Sequence, residues 1–501
     1  MASLDSERLG SYLVASGLAT LDDIVRALDR QKREGGRPGD NLVALGIVRE
    51  ETLEAMLHAK PTAPRSVEDT EIAEGFLLQL LVKAVHSSNL ETPSQMKELL
   101  KLPYAVITRL LEEAVDRKLI LSAGSGEGLA FAETRYVLSG EGRTWARELL
   151  SQCHYVGAAP VSLSAYQNRI RRQRITNERI DQKSIDEAFS DLVVTQQFIE
   201  SIGPGINSGR CILLYGPPGN GKTSVAVKIG SIFRDIIHVP YCVEVDGQII
   251  NVFDPAIHKS VEPQSVGNGP NDEKPRASLV EDDFDHRWVP CRRPIVIVGG
   301  ELTLNMLDLE FNSYAKFYEA PLHVKALGGT FIIDDFGRQF VKPADLLNRW
   351  IVPLESRVDF MKLHTGKTFT IPFDELVIFS TNLAPADLMD PAFLRRIPYK
   401  LQTRGPNDAD FRKIFDMASE NASLTPSDDV FDMVLEELRE KHGMALACYQ
   451  PKFIADQVVA ACKYKGEAPK YSRERVASAL ANLYVSSDDD AQDKARLSGA
   501  A

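Results

Sequence analysis

The sequence predicts a multidomain α/β protein with an α/β/α core and a helical lid, preceded by a small duplicated helical module and a winged-helix-like domain. Three observations support this fold class. A repeat fills the first 60 residues, helical apolar spacing followed by two strand-like runs spans 69–152, and the apolar strand CILLY leads directly into the glycine-rich GPPGNGKTS and a helical segment. Repeats, periodicity and strand–loop–helix junctions are strong fold signals in a single sequence.

The composition fits a soluble globular protein with several domains, since 44% of the 501 residues are hydrophobic and 26% are charged. The net charge of −12 argues against a protein that coats nucleic acid, so we do not expect a nucleic-acid partner. Six cysteines without a CxxC pair indicate neither a disulfide framework nor a zinc site. Without a signal sequence or an apolar run of about 18–20 residues, we expect a cytoplasmic protein and no membrane insertion.

Residues 1–60 contain a duplicated helical module. At an offset of 29 residues, Arg8 aligns with Arg37 and Gly10 with Gly39. The apolar spacing predicts two short amphipathic helices in each copy, separated by a glycine suited to a helix C-terminus. From periodicity alone, the module is a small helical adaptor.

The doubled pattern RLGxx-LV-xxG-L, ending in LxxxLxxQ, resembles the MshEN-type domain at the N-terminus of secretion and type IV pilus ATPases. The resemblance implies binding of cyclic di-GMP, with guanidinium forks on guanine or phosphate. The second copy departs from the family pattern, because Pro38 replaces a leucine and Lys60 a glutamine. The residues that the resemblance assigns to cyclic di-GMP are Arg8, Leu9, Gly10, Gln31, Arg37 and Gly39.

A linker is predicted over 61–68, a winged-helix-like domain over 69–152 and a connector over 153–184. The presumptive recognition helix carries as many acidic as basic residues, which suits a protein-interaction or spacer role better than DNA binding. The connector contains the arginine-rich run NRIRRQRITNER at 168–179. We interpret this run as a subunit contact; a nucleic-acid or lipid patch is the alternative.

The α/β core is predicted over 185–403. The strand before GPPGNGKTS and the helix after it identify a phosphate-binding loop, whose glycines let backbone N–H groups surround phosphates. Lys222 would reach the β- and γ-phosphates of ATP, and the Thr223 hydroxyl would bind Mg²⁺. The loop residues expected to bind nucleotide are Gly216, Pro217, Pro218, Gly219, Asn220, Gly221, Lys222, Thr223 and Ser224.

Three later segments supply the remaining chemistry of phosphoryl transfer. In TFIIDDFG, Asp334 would hold Mg²⁺ and Asp335 would polarise the attacking water. Asn382, at the end of ELVIFSTN, would help to orient that water. In DPAFLRRIPYKL, Arg395 and Arg396 would reach the γ-phosphate of a neighbouring subunit, although two surface charges would look the same in a sequence.

Together these segments resemble an AAA+ ATPase over about residues 185–485. GPPGNGKT matches its Walker A motif, FIIDD its Walker B motif, STN its sensor 1 and AFLRR its arginine-finger segment. More closely, the chain from the winged helix onwards resembles bacterial AAA+ proteins described as predicted ATPases with chaperone-like activity. The resemblance implies ATP hydrolysis, a homo-oligomeric ring with a hexamer favoured, and a protein client that it does not identify.

A helical lid is predicted over 404–485 and a disordered tail over 486–501. By resemblance, Lys452 takes the sensor 2 place in the lid, where relatives more often have arginine. A lysine makes a point contact rather than a fork, so its coupling to the nucleotide would be weaker. A solvated lysine at a helix start is the alternative.

Two features depart from the common AAA+ pattern. Lys222 and Asp334 are 112 residues apart, with a predicted hairpin at 239–254, turned at Asp246-Gly247, and an insert near 254–290 whose stretch 258–285 we expect to be disordered. Aromatic residues at 314, 317 and 318 either grip a threaded polypeptide or pack in the core.

The second departure is Asp335, which stands where glutamate is more common. The aspartate side chain is one carbon–carbon bond shorter than glutamate, so its carboxylate lies about 1.5 Å closer to the backbone. An error of that size can lower the reaction rate ~10²-fold when it misplaces a reacting water. We therefore expect a slow but active ATPase. The alternatives are a nucleotide-gated assembly switch with negligible turnover and a DNA-associated regulatory ATPase.

Overall fold

The N-terminal module contributes two helices to the computed structural model, which describes residues 19–34, 38–49, 60–125, 133–261, 284–388, 390–441 and 444–483. Helices α1 (Leu21–Glu34) and α2 (Pro38–Ala44) pack through a small apolar cluster. The predicted cyclic di-GMP residue Gln31 lies on α1 and Gly39 on α2. The other four predicted contacts lie outside the described residues: Arg8, Leu9, Gly10 and Arg37.

A helical domain with a β-hairpin follows the linker and has its own apolar core. Thr92 and Gln95 form a reciprocal capping box at the start of its second helix, which satisfies two backbone N–H groups. The order of elements agrees with the one expected for 69–152; its assignment as a winged helix stays a prediction. The elements are α3 (Glu74–Ser88), α4 (Pro93–Leu100), α5 (Tyr104–Asp116), β1 (Ile120–Ser125), β2 (Thr134–Leu138) and α6 (Gly140–Gln152).

Two short elements of the connector and two further helices lead into the core. Arg169, within the arginine-rich run, is buried, and its guanidinium lies 5.8 Å from the ring centroid of Trp288. At least this arginine therefore packs inside the chain rather than at a subunit contact. The elements are β3 (Val161–Ser162), α7 (Leu163–Arg172), α8 (Gln182–Ala188) and α9 (Gln196–Ser208).

The central sheet has five parallel strands in the order β16-β4-β15-β12-β9. Separate apolar clusters cover its two faces, which explains why its strands read as continuous apolar runs such as TFII and LVIFST. The carboxyl ends of β4, β12 and β15 meet at one edge, where the Walker-type segments lie. The strands are β4 (Ile212–Tyr215), β9 (Ile295–Val298), β12 (Thr330–Ile333), β15 (Leu376–Thr381) and β16 (Tyr399–Gln402), and helix α10 (Lys222–Ser231) follows β4.

A second, β-rich part has its own core, and all of its strands except β3 lie between β4 and β15 in sequence. It contains a second five-stranded sheet, in the order β10-β11-β7-β6-β3, and two further strand pairs, β5 with β8 and β13 with β14. Its strands are β5 (Ile236–Pro240), β6 (Cys242–Val245), β7 (Gln248–Asn251), β8 (Trp288–Arg292), β10 (Glu310–Asn312), β11 (Phe317–Glu319), β13 (Val358–Lys362) and β14 (Thr368–Pro372).

The predicted hairpin at 239–254 is confirmed as the antiparallel pair β6–β7. Asp246 and Gly247 both have positive φ, +53° and +77°, as a type I′ turn requires. The predicted disorder of 258–285 is wrong at the two ends that the structure describes. His258 is buried and its Nε2 lies 2.9 Å from the Lys325 carbonyl oxygen, and Asp285 forms a buried ion pair with Arg287. The polar side chains of His258 and Asp285 have partners inside the fold, so the polar composition of these two ends did not make them disordered.

The aromatic residues before β12 were expected either to grip a threaded polypeptide or to pack in the core, and their exposures differ. Tyr318 is 1% exposed and belongs to the β-rich core, whereas Tyr314 is 82% exposed. A gripping role therefore does not fit Tyr318.

Short helices connect the strands on the way to a C-terminal helical unit. The connecting helices are α11 (Leu322–Lys325), α12 (Pro343–Arg349), α13 (Ile351–Ser356), α14 (Pro385–Leu388) and α15 (Pro391–Leu394). The C-terminal unit has its own apolar core and comprises α16 (Asp408–Asn421), α17 (Asp428–Glu436), α18 (Tyr449–Lys465) and α19 (Arg473–Leu483). Among the helices that the structure describes, none combines the length and hydrophobicity needed to cross a bilayer.

Glu375, just before β15, is fully buried, and neither carboxyl oxygen has a hydrogen-bond partner among the described residues. Burial raises its pKa well above 4.5, against the opposing charge of Arg357. Above about pH 4.5 the folded chain keeps a proton that the unfolded chain releases, so this group lowers stability as pH rises towards the folded pKa.

Glu375→Gln is therefore expected to gain stability relative to the parent chain between about pH 5 and about pH 8, by at most about 1.4 kcal/mol per pH unit. Urea unfolding at the two pH values measures it. Glu310→Gln, at an exposed strand position, is the matched control. A pH-independent difference for Glu375→Gln would contradict a protonated buried carboxyl.

Candidate nucleotide-binding site

The loop at 216–221 joins the end of β4 to the start of α10 in a path that needs glycine at two contact points. Gly216 and Gly219 have φ of +144° and +79°. A Cβ atom at Gly216 would clash with the Thr403 carbonyl oxygen, and one at Gly219 with the Tyr449 ring. Gly216 and Gly219 are thus required by close packing as well as by backbone conformation, whereas Gly221, with φ of +72° and open space around it, is favoured by conformation alone.

Lys222, the first residue of α10, lies almost fully buried over the loop. Its Nζ donates hydrogen bonds to the carbonyl oxygens of Gly216 (2.9 Å) and Pro217 (2.8 Å). Burial lowers the pKa of Lys222, and the carboxylates of Asp335 and Asp334 oppose that shift. The ammonium group is therefore held between the loop and the two acidic residues.

Thr223 and Asp334 meet beneath the loop. The Thr223 hydroxyl donates to Asp334 Oδ2 at 2.7 Å. Two backbone contacts hold Asp334 in place: its N–H donates to the Val298 carbonyl oxygen at 2.8 Å, and its own carbonyl oxygen accepts from Gln339 Nε2 at 2.9 Å. A hydroxyl and a carboxylate on rigid backbone are oxygen ligands that suit Mg²⁺ bound with a phosphate. Thr223 and Asp334 therefore fit the predicted Mg²⁺ site.

Asp335 and Asn382 form the second pair at this edge. Asn382 Nδ2 donates to Asp335 Oδ1 at 2.9 Å, which links the ends of β12 and β15. Asp335 has φ of +47°, a left-handed conformation that aspartate and asparagine tolerate better than most residues. The chain turns there so that the N–H of Phe336 can donate to the Ser380 carbonyl oxygen at 2.7 Å. This backbone requirement was not visible in the sequence, and it favours a short side chain at the second acidic position.

The C-terminal helical unit touches the loop directly. The Tyr449 N–H donates to the Gly219 carbonyl oxygen at 3.0 Å, and the Cys448 N–H donates to Asn220 Oδ1 at 3.3 Å. Neither residue carries a motif, so their position just before Lys452 was the only signal for them in the sequence.

A cavity of about 670 Å³ opens between the loop and the C-terminal helical unit, a volume that suits a nucleotide-sized ligand. It is lined by Gly219, Asn220 and Gly221 of the loop, by Ser224 of α10, and by residues of the C-terminal helical unit including Lys452. Lys452 is three-quarters exposed, and its Nζ lies 2.6 Å from Asp456 Oδ2. The predicted sensor 2 lysine thus faces the cavity but is paired with a carboxylate one turn further along α18.

Arg395 and Arg396 do not join this cavity. Both line a separate cavity that contains none of the loop residues. The Arg396 carbonyl oxygen accepts from Cys211 Sγ at 3.3 Å, and Cys211 immediately precedes β4, whereas the loop follows β4. The two arginines therefore lie towards the opposite edge of the central sheet. This placement excludes them from the phosphate end of their own site.

The parallel sheet and the glycine-rich loop define an α/β protein with a P-loop. Residues 407–482 match a family model described as Domain of unknown function (DUF8689). No curated protein matches the sequence.

Part of the chain is similar to solved structures. NtrX from Brucella abortus gives a TM-score of 0.36 at 14% identity over 60% of this chain and 59% of that chain. A Thermotoga maritima RuvB structure gives 0.32 at 13% identity over 62% of this chain and 73% of that chain. Another, described as the RuvB Holliday junction branch migration motor, gives 0.31 at 13% identity over 62% and 74%. The chain spans less than two thirds of the NtrX structure, and at these values the similarities define no family membership.

Proposed function

We propose that this chain is an AAA+ ATPase that hydrolyses ATP to ADP and phosphate. The observation that carries the proposal is the convergence of two pairs, Thr223 with Asp334 and Asp335 with Asn382, beside the loop that holds Lys222. These residues come from three separate segments, and they meet at one edge of a parallel sheet, where ligands of α/β proteins bind.

The roles of the residues follow from their positions. When bound, ATP with Mg²⁺ would supply the transferable phosphoryl group and a Lewis acid that neutralises its charge. The backbone of the loop and Lys222 would bind the phosphates, and Thr223 with Asp334 would hold the cation. Asp335 would orient a water and accept its proton, while Asn382 holds the Asp335 carboxylate in place.

The proposed enzyme works as a homo-oligomeric ring, with a hexamer favoured, that remodels a protein client. Placement of Arg395 and Arg396 away from the loop of their own chain supports a role towards a neighbouring subunit. Transition-state stabilisation by an arginine supplied from another chain is well established in this kind of chemistry.

Regulation by cyclic di-GMP through the N-terminal module is a separate part of the proposal. The repeat in residues 1–60 supports it, and the guanidinium groups at the two equivalent positions suit guanine and phosphate. Equilibrium dialysis of the full chain against radiolabelled cyclic di-GMP tests it, and an absence of binding would remove it.

A nucleotide-gated assembly switch is the second candidate function. It is favoured by the short Asp335 side chain, whose Oδ1 already accepts a hydrogen bond from Asn382. DNA regulation has less support, because acidic residues of α5 engage the arginine within this helix and the one that follows it. Arg109 Nη1 lies 3.7 Å from Glu112 Oε2, and Arg117 Nε, just after the helix, lies 2.6 Å from Glu113 Oε1. Salt-sensitive DNA binding would be the observation that revives it.

Magnesium-dependent ATP binding tests the proposed site. The parent chain is expected to bind ATP more tightly with Mg²⁺ than with a chelator, and Thr223→Val, which keeps the shape but removes the hydroxyl, should lose most of that difference. Thr223→Ser, which keeps the hydroxyl, is the matched control and should retain it. Calorimetric titration measures both. Equal affinities with and without Mg²⁺ in the parent chain would contradict the assignment of Thr223 and Asp334.

A further inference from the structure

A cavity outside the nucleotide site lies where three segments that are distant in sequence meet. Its volume is about 430 Å³, within the range of roughly 300–1,000 Å³ that is usual for small-molecule sites. It shares no lining residue with the cavity beside the P-loop. Its walls come from the predicted linker at 61–68, from α4 and the start of α5, and from the residues just before β8. A ligand in this cavity would therefore contact the helical domain and the β-rich part together.

Backbone contacts between these segments fix the shape of the cavity. The Asp285 N–H donates to the Pro61 carbonyl oxygen at 3.0 Å, and Thr62 pairs with Phe284 in an antiparallel bridge. The predicted linker is thus held against the residues before β8 by main-chain hydrogen bonds. Because its walls are joined in this way, the cavity is already formed in the chain without a ligand.

The charged lining of the cavity is mainly basic. Arg65, Lys97 and Lys101 line it together with one carboxylate, Glu98, and with His286. The side chains of the three cations make no hydrogen bond or ion pair with any residue that the structure describes. Three uncompensated cations beside one carboxylate leave an excess of two positive charges, which attracts an anion.

Much of the remaining lining is apolar and includes an aromatic ring. Leu102 and Pro103 contribute aliphatic surface, and Phe284 contributes the ring. His238 and His286 hold this ring in place, with centroids 5.7 and 5.5 Å from it. An inorganic ion would leave this apolar surface in contact with water, whereas an organic anion covers it. The cavity therefore suits a ligand that has both a charged and an apolar part.

We infer that this cavity binds a small organic anion with a phosphate or carboxylate head and an apolar or aromatic body. The head pairs with Arg65, Lys97 and Lys101, and the body packs on Pro103 and Phe284. Because the ligand contacts the linker, the helical domain and the β-rich part at once, its binding stabilises their arrangement. The site is independent of the proposed ATPase, since none of its residues has a role in that proposal.

Fluorescence titration with 8-anilinonaphthalene-1-sulfonate, an aromatic anion, tests the role of charge. The double variant Lys97→Gln/Lys101→Gln is expected to bind this probe at least ~10-fold more weakly than the parent chain, the loss typical of one charge-assisted hydrogen bond. The neutral analogue N-phenyl-1-naphthylamine should bind both chains equally. An equal affinity of the parent chain and the double variant for the sulfonate would overturn the inference.

Lys118→Gln is the matched control for the charge variants. Lys118 is an exposed lysine of the same helical domain and does not line the cavity. This variant should bind the sulfonate as the parent chain does. Probe that binds elsewhere on the chain is common to all variants and cancels in the comparison.

Filling the cavity tests the site without changing its charge. Ala105 lines the cavity and is exposed, so Ala105→Trp should abolish the charge-dependent binding of the sulfonate while leaving the melting temperature unchanged. Val115→Trp, at an exposed position of the same helix outside the cavity, is the control and should bind the probe normally. Undiminished binding by a folded Ala105→Trp chain would place the probe elsewhere and overturn the inference.

Displacement of the probe decides the head group. Phenyl phosphate and benzoate share an aromatic ring and differ in the anion that it carries. The stronger competitor of the two identifies the head as a phosphate or a carboxylate, and its effect should be lost in Lys97→Gln/Lys101→Gln. Failure of both compounds to displace the sulfonate from the parent chain would overturn the inference.

Discussion

Asp335→Asn is expected to lower ATP turnover by roughly 10²- to 10⁴-fold, the range typical for loss of a general base. Asparagine has nearly the same size and also tolerates the left-handed conformation at φ +47°. The substitution therefore removes the proton acceptor without disturbing the backbone turn. Phosphate release and ATP titration, measured on the same preparation, should show lost turnover with retained binding.

Asp335→Glu is the companion variant. It keeps the carboxylate and should hydrolyse ATP measurably, although glutamate fits the left-handed position less well than aspartate. Turnover of Asp335→Asn at the parental rate would contradict the role of Asp335. An equal loss of turnover in Asp335→Asn and Asp335→Glu would mean that backbone geometry at this position, rather than the carboxylate, determines the rate.

Lys222→Ala is expected to weaken ATP binding by about 1.5–3 kcal/mol, roughly 10- to 150-fold, because it removes charge-assisted hydrogen bonds to phosphate. Lys222 is 6% exposed, its Nζ contacts the loop carbonyls, and it is the only lysine in GPPGNGKTS. Titration with a fluorescent ATP analogue measures the loss. Lys465→Ala, at an exposed position of the C-terminal helical unit, is the matched control and should bind as the parent chain does.

An unchanged affinity of Lys222→Ala would contradict the assignment of the P-loop. We expect turnover to be lost as well, because the proposed role of Lys222 is to stabilise the β- and γ-phosphates during transfer.

The sequence was most informative where structure depends on neighbours along the chain. The P-loop and the Asp246-Gly247 turn are set by local backbone needs, and the structure has both the strand–loop–helix junction and the two positive φ angles. The pairing of Asp334 with Thr223 follows from a simple rule, that carboxyl ends of parallel strands meet at one edge.

The rest depends on partners that are distant in sequence. Strand β3, at Val161–Ser162, pairs with β6, so the second sheet could not be assembled from local patterns. Tyr449 contacts Gly219 across more than 200 residues, and only its position just before Lys452 marked it in the sequence. Arg396 Nε donates to Glu355 Oε1 across 41 residues, a pairing that no local pattern predicts. Polar residues such as His258 looked disordered because their buried partners were invisible.

The most direct test of the account is steady-state phosphate release from ATP as a function of protein concentration, with Lys222→Ala as the control. The account predicts turnover per subunit that rises with concentration, because a second copy completes each site, and that vanishes in the control. ATP binding without turnover at any concentration would contradict it and leave a nucleotide-gated switch.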